Sequence, residues 1–190
     1  MQTHQHFMMN KPYGYLSQFK YNLKRKKKLL GELYDFPDGI MAIGRLDEDS
    51  EGLLLLTTDG KVSERICSSK VDKEYYAQVD GLITDEAIQL LKTGVEIGFE
   101  GKKYTTKTSQ AFILKEIPDF SVRAKKIRDD RHGPTSWISI TLTEGKFRQV
   151  RKMTSAVGFP TLRLIRVRIG SIILHNLAIG SVIVTNLNDF

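Results

Sequence analysis

The sequence offers little for disulfide bonding, membrane insertion or secretion. It contains one cysteine, Cys67, among 190 residues, which excludes intramolecular disulfides and thiolate-rich zinc sites. Cys67 is therefore expected to serve as a small buried hydrophobic residue. No apolar run approaches the roughly 18 residues that a membrane span requires, and residues 1–6 show no basic stretch followed by an apolar one. These absences predict a soluble, cytoplasmic protein.

The common signatures of cofactor binding are also missing. Neither a Walker A sequence nor a dinucleotide-binding glycine pattern occurs, and His4 with His6 is too isolated to indicate a metal site. The chain does have an excess of basic residues, with a formal net charge of +7. This charge favours an anionic partner, foremost a nucleic acid, although a mild excess can also serve solubility alone.

Apolar, β-branched and aromatic segments alternate along the chain with short helical patterns. Strands are predicted within 6–19, on both sides of a turn at residues 10–12, and at 40–44, 53–57, 74–79, 102–117, 137–143, 162–169 and 181–185. Helices are predicted at 61–68, 84–93 and 147–157, the second with Thr84 as its N-cap. Short helices mixed with strands in this order predict an α+β fold with a mainly antiparallel sheet.

Two predicted loops and two predicted elements are basic. Residues 24–28 form an unbroken basic run, either a solvated loop or a mobile arm that contacts phosphates, and the loop 123–134 is a second candidate RNA-facing segment. At helical spacing, Arg148, Arg151 and Lys152 would form one basic face, which either contacts a partner or faces solvent. At strand spacing, Arg166 would lie with Arg168 on one basic sheet surface.

The polar segment 44–52 lies between two very apolar predicted strands and contains Arg45 and Asp47. Polar loops held by a rigid scaffold are common places for catalysis. The segment also matches the first positions of a calcium-binding EF-hand loop. However, its twelfth position is Thr58 instead of glutamate, and its flanks are strands instead of helices. A purely structural turn remains an alternative, and composition alone leads only to a basic α+β domain with a candidate site near Asp47.

Several motifs resemble those of the RsuA-type pseudouridine synthase family. The longest is the segment 44–60, and three others follow the same order as in the family, namely residues 10–12, 73–75 and 145–153. Residues 134–137 and 157–166 are most similar to the branch of the family that acts on the large ribosomal subunit. The resemblance covers most of the chain. It implies the pseudouridine synthase fold, a mixed, mainly antiparallel sheet in two merged α+β halves. It also implies a single catalytic domain over residues 1–190 without an N-terminal S4-like RNA-binding domain.

The resemblance implies isomerisation of a specific uridine in 23S ribosomal RNA, free or in the assembling large subunit, by a monomer that needs no cofactor and no metal. Asp47 matches the catalytic aspartate, acting as nucleophile or as general base. Arg151 matches its basic partner, with Arg148 as the less favoured alternative, and Tyr75 matches the tyrosine that stacks on the target base. Two rival interpretations are a noncatalytic RNA-binding module with the same fold and an enzyme acting on small-subunit RNA.

Further residues are candidate RNA contacts. Arg45 matches the arginine that fills the gap left by the flipped uridine, unless it pairs with Asp49 or Glu51 instead. Two departures from the family pattern, Thr58 and Phe147, leave the catalytic roles untouched but could change substrate fit. The remaining candidate RNA contacts are Lys73, Lys146, Arg148, Lys152 and Arg166.

Overall fold

The computed structural model describes residues 4–20, 27–68, 71–128 and 130–187. They divide into two compact units, the first formed by Met1–Val71 with Arg166–Phe190 and the second by Asp72–Ile165. Residues 24–26 of the predicted basic arm lie outside the described residues. No helix in the described ranges is long and apolar enough to cross a membrane.

The elements follow one another as strands and short helices. In chain order they are β1 (His6–Lys11), β2 (Tyr15–Leu16), β3 (Lys28–Leu29), a 3-10 turn (Leu30–Glu32), β4 (Met41–Ile43), β5 (Glu51–Thr57), α1 (Gly60–Ser68), β6 (Lys73–Asp80), α2 (Asp85–Thr93), β7 (Glu96–Phe99), β8 (Lys102–Thr105), β9 (Gln110–Ile113), a second 3-10 turn (Asp130–His132), β10 (Thr135–Leu142), α3 (Gln149–Ala156), β11 (Thr161–Ile169), β12 (Ile172–Ile173) and β13 (Val182–Val184).

The first unit is built on β1 and β5. β1 pairs antiparallel with β13 on one side and with β5 on the other, and β4 also pairs antiparallel with β5. Every residue of β5 is buried, which explains why residues 53–56 form a continuous apolar run instead of an alternating pattern. The register of the β1–β5 pair places Lys11 opposite Gly52, so the end of β1 lies beside the start of β5.

The second unit is built on β6 and β10. These two strands pair antiparallel over their full length. β10 also pairs antiparallel with β9, and β7 and β8 form a separate hairpin. Helices α2 and α3 contribute Leu91 and Met153 to a fully buried apolar core with Ile138 and Ile140 of β10. As predicted, Thr84 caps α2: its hydroxyl oxygen accepts a hydrogen bond from the Ala87 N–H at 3.3 Å.

Several local predictions are wrong. The predicted strand 102–117 is interrupted between β8 and β9, where the buried Thr106 donates its N–H to the Val95 carbonyl at 2.9 Å and accepts the Val95 N–H at 3.0 Å. These bonds turn the chain away from an extended path. Cys67 was expected to be buried but is exposed on α1. Helix α3 begins at Gln149, because the preceding residue, Arg148, has a left-handed backbone with φ of 53°.

Candidate active site

The loop between β4 and β5 carries Asp47 on a backbone that is fixed on both sides. Ser17 binds the main chain of the buried Leu46 twice: its hydroxyl donates to the Leu46 carbonyl at 2.8 Å and accepts the Leu46 N–H at 3.0 Å. After the aspartate, the Ser50 N–H donates to the Asp47 carbonyl at 3.1 Å. The Asp47 side chain itself is half-buried, so part of it remains accessible to a substrate.

A second attachment holds the middle of the loop. The Gly14 N–H donates to the Glu48 carbonyl at 2.8 Å, and the ammonium group of Lys27 lies 2.9 Å from each carboxylate oxygen of Glu48. Gly14 has φ of +87°, a conformation that glycine adopts without a steric penalty. The loop is therefore tied to the chain segment that follows β1.

Lys11 is a buried cation beside this acidic loop. Its side chain is 0% exposed, and its ammonium group donates a hydrogen bond to the Pro12 carbonyl at 2.9 Å. Burial lowers the Lys11 pKa to about 8, while the negative charges of the loop, Glu51 foremost, act in the opposite direction. At neutral pH the side chain is therefore mainly protonated and compensates part of the charge of the acidic loop.

No role for Lys11 was predicted from the sequence, although residues 10–12 form one of the motifs that resemble the family. The local signal for its burial is weak, because only residues 7–9 of β1 are apolar. The burial itself depends on what covers β1, and that is a long-range property of the fold.

Two arginines predicted to contact RNA also belong to the first unit. Arg45 is exposed, as an RNA contact requires. Arg166 is only 3% exposed, and its Nε donates to the Leu53 carbonyl at 2.8 Å. The prediction that Arg166 lies on a basic sheet surface is therefore wrong, because the guanidinium group is used within the unit on the backbone of β5. Its role as an RNA contact stays a prediction.

Tyr75 lies on β6 in the second unit. Side chains alternate along a strand, so Tyr75 shares a face with Ala77 and Val79, which are fully buried. The Tyr75 ring is partly buried and packs against this core. A ring supported in this way remains rigid while part of its surface stays accessible, which suits base stacking. Lys73, at the start of the same strand, is likewise partly buried.

The remaining predicted residues surround the start of α3. Arg151, in the first turn, donates from its Nη1 to the Thr161 carbonyl at 3.3 Å. Lys152 donates to the Gly98 carbonyl at 2.6 Å, and the ammonium group of Lys146 lies 4.7 Å from the centre of the Phe99 ring. The predicted helical face of three basic residues is corrected to two, because Arg148 precedes the helix.

The predicted site residues thus fall into two groups, one in each unit. The first unit contains Asp47, Arg45 and Arg166, and the second contains Tyr75, Arg151, Lys73, Lys146, Arg148 and Lys152. The pairing of Asp47 with Arg151 stays a prediction. A half-buried carboxylate such as Asp47, when ionised, can act as a nucleophile or accept a proton. Among the residues that the structure describes, no three His, Cys, Asp or Glu side chains cluster as a metal site would require.

Comparisons with known proteins identify relatives of this chain. The RNA pseudouridylate synthase family matches residues 5–156 of the chain. A ribosomal large subunit pseudouridine synthase E from Xanthomonas axonopodis pv. citri is 42% identical over 165 residues, which cover 86% of this chain and 84% of that protein. A protein of the same name from Vibrio parahaemolyticus is 38% identical over 182 residues, which cover 95% of this chain and 73% of that protein. A crystal structure of a pseudouridylate synthase matches with a TM-score of 0.77 and 27% identity, covering 100% of this chain and 73% of that one. The predicted fold class is confirmed.

Proposed function

The chain belongs to the RNA pseudouridylate synthase family and is an RNA pseudouridine synthase, and from this premise we propose that it isomerises a specific uridine of 23S ribosomal RNA with Asp47 as catalytic carboxylate. The substrate class is supported by the identity of 42% to a protein named for the large ribosomal subunit. The role of Asp47 is supported by its position in a loop that Ser17 and Gly14 attach to the rest of the first unit.

The fixed backbone of the loop is the observation that carries the proposed chemistry. A nucleophile or base must stay within hydrogen-bond reach of the reacting atom, and small displacements are costly. The Asp47 carboxylate attacks or deprotonates the ribose while the glycosidic bond breaks. The uracil leaves with the bonding electrons on N1, turns and bonds to the ribose through its carbon 5. This step releases the bond between Asp47 and the ribose, or returns the proton that Asp47 removed. Carbon 5 then loses its hydrogen as a proton, and N1 takes up a proton. The reaction requires no oxidant, reductant or cofactor.

The other predicted residues take supporting roles in this proposal. Tyr75 stacks on the target base, and its hydroxyl assists removal of the proton from carbon 5. Arg151 is the basic residue that orients the Asp47 carboxylate. Arg45, which is exposed, fills the gap in the RNA after the uridine has flipped out, a step that costs a few kcal/mol for a paired base.

Basic side chains hold the RNA backbone in the proposed complex. Neutralising phosphates releases counterions, so binding is expected to weaken steeply as salt rises. The contacts proposed for this role are Lys73, Lys146, Arg148 and Lys152. We place the reaction in the cytoplasm, in a monomer of 21.6 kDa that acts on free RNA or on the assembling large subunit.

Mapping the product tests the substrate directly. The protein is incubated with unmodified 23S and 16S RNA, both free and in isolated subunits, and pseudouridine is located by carbodiimide labelling and reverse transcription. We expect one new pseudouridine in 23S RNA and none in 16S RNA. Modification of 16S RNA alone would contradict the proposed substrate and leave the family assignment intact.

A further inference from the structure

We propose that the second unit carries an aromatic and basic platform on which an unpaired base of the substrate RNA, outside the isomerised uridine, stacks against Phe147. The platform consists of Phe99, Tyr104, Lys146, Phe147 and Lys152, contributed by the β7–β8 hairpin and the segment around the start of α3. The inference rests on the proposed function for its choice of RNA as ligand.

Two lysines and three rings are brought together at this place. The Lys146 ammonium group lies 4.7 Å from the centre of the Phe99 ring and 5.1 Å from that of Tyr104. The Lys152 ammonium group lies 5.5 Å from the centre of the Phe147 ring and 6.0 Å from that of Phe99. Such distances allow favourable cation–π attraction, so the lysines are held near the rings.

Hydrogen bonds hold several residues of the platform in place. Lys152 donates to the Gly98 carbonyl at 2.6 Å, which joins α3 to the hairpin. The Tyr104 hydroxyl donates to the Glu144 carboxylate at 2.6 Å, and the same carboxylate accepts the Gln149 amide at 2.5 Å. The Lys146 N–H in turn donates to the Gln149 side-chain oxygen at 2.9 Å. Lys152, Tyr104 and the backbone of Lys146 are therefore ordered before a ligand arrives, which lowers the entropic cost of binding.

Phe147 is the exposed member of this group. It is 53% exposed. Phe112 on β9 offers a comparison, since it is 49% exposed but no lysine or arginine among the described residues lies over its ring. Exposure combined with the Lys152 ammonium group, which lies 5.5 Å from the ring centre and is bonded to the Gly98 carbonyl, distinguishes Phe147 from Phe112.

The chemistry of the platform fits a single-stranded RNA segment. An exposed ring can stack on any base, and lysines beside it can meet the adjoining phosphates. The alternative is that these contacts only attach the hairpin to α3. That alternative predicts that changes at Phe147 affect stability, or affect binding of all RNA equally, without depending on the presence of a base.

The test measures binding without turnover, using a short single-stranded oligouridine and an abasic RNA oligomer of the same length. Phe147→Ala is expected to weaken oligouridine binding roughly 5- to 150-fold, the range for loss of one stacked base. It should leave binding of the abasic oligomer unchanged. Phe147→Trp keeps oligouridine binding, Phe147→Leu loses it although the side chain stays apolar, and Phe112→Ala serves as the matched control with wild-type affinity.

Either of two results would overturn the platform: an unchanged oligouridine affinity in Phe147→Ala, or an equal loss for both oligomers. Thermal unfolding of each variant shows whether a loss comes from the fold, and Phe147→Trp and Phe147→Leu keep the test decisive if the alanine variant is unstable. Failure of the proposed function would appear separately, as absence of isomerisation in ribosomal RNA, because these affinities do not depend on turnover.

Discussion

Replacing Lys11 by methionine is expected to remove most of the rise in stability that the protein gains between pH 7 and pH 10. Methionine has a similar length and no charge, so it suits a side chain that is 0% exposed at the end of β1. The substitution isolates the effect of one buried ammonium group. The neighbouring negative charges belong to the loop that carries Asp47.

The expected magnitude follows from the pKa of Lys11. Burial lowers this pKa from 10.5 to about 8, against the opposing influence of the nearby acids. Between these two values the unfolded chain binds more protons at Lys11 than the folded chain, so the free energy of unfolding rises with pH. Integrated from pH 7 to pH 10, the contribution is about 2 to 3 kcal/mol, and below about pH 7 it is constant.

Urea unfolding of wild type and Lys11→Met at pH 7, 8, 9 and 10 measures this contribution. The difference between the two proteins cancels the titration of all other groups, and it should grow in favour of wild type as pH rises. Lys61→Met, at an exposed position of α1, is the matched control and should retain the pH dependence of wild type. A difference between wild type and Lys11→Met that stays constant from pH 7 to pH 10 would refute the reasoning.

Two further predictions concern the proposed active site. Ser17→Ala removes both hydrogen bonds to the main chain of Leu46, so it should lower the free energy of unfolding by about 1 to 3 kcal/mol. Because the Asp47 loop loses its attachment, kcat should fall more than KM rises; an unchanged kcat would contradict this role of Ser17. Tyr75→Phe keeps the ring but loses the hydroxyl, so RNA affinity should persist while kcat falls by roughly 10²- to 10⁴-fold. Equal activity of Tyr75→Phe and wild type would exclude the hydroxyl from the chemistry.

The elements that could be predicted from the sequence are those with a strong local signal. The apolar run of β5 and the spacing of α2 each define an element without reference to the rest of the chain. The N-cap of α2 was also predictable, because a threonine before an acidic first turn can accept a hydrogen bond from a backbone N–H of that turn, as Thr84 does. The polar loop 44–52 was a candidate site from its place between two apolar strands, and the resemblance to a family added the catalytic role proposed for Asp47.

The features that escaped prediction depend on residues distant in sequence. Arg166 looked exposed because strand periodicity says which side chains share a face, but not whether that face is covered. The break at Thr106 depends on Val95, and the burial of Lys11 depends on what packs around β1. Arg148 shows a different limit. Its positive φ is unusual for a residue other than glycine, so the predicted helix 147–157 began before the true start of α3 at Gln149.

The central claim is that Asp47 is the catalytic carboxylate of a uridine isomerase, and release of tritium from RNA labelled at carbon 5 of uridine tests it most directly. Asparagine preserves the shape of the side chain but removes the charge, and Asp49→Asn provides a matched change in the same loop. We expect release from unmodified 23S RNA by wild type and Asp49→Asn and none above background by Asp47→Asn, with RNA binding retained in all three. Release by Asp47→Asn at the wild-type rate would contradict the account.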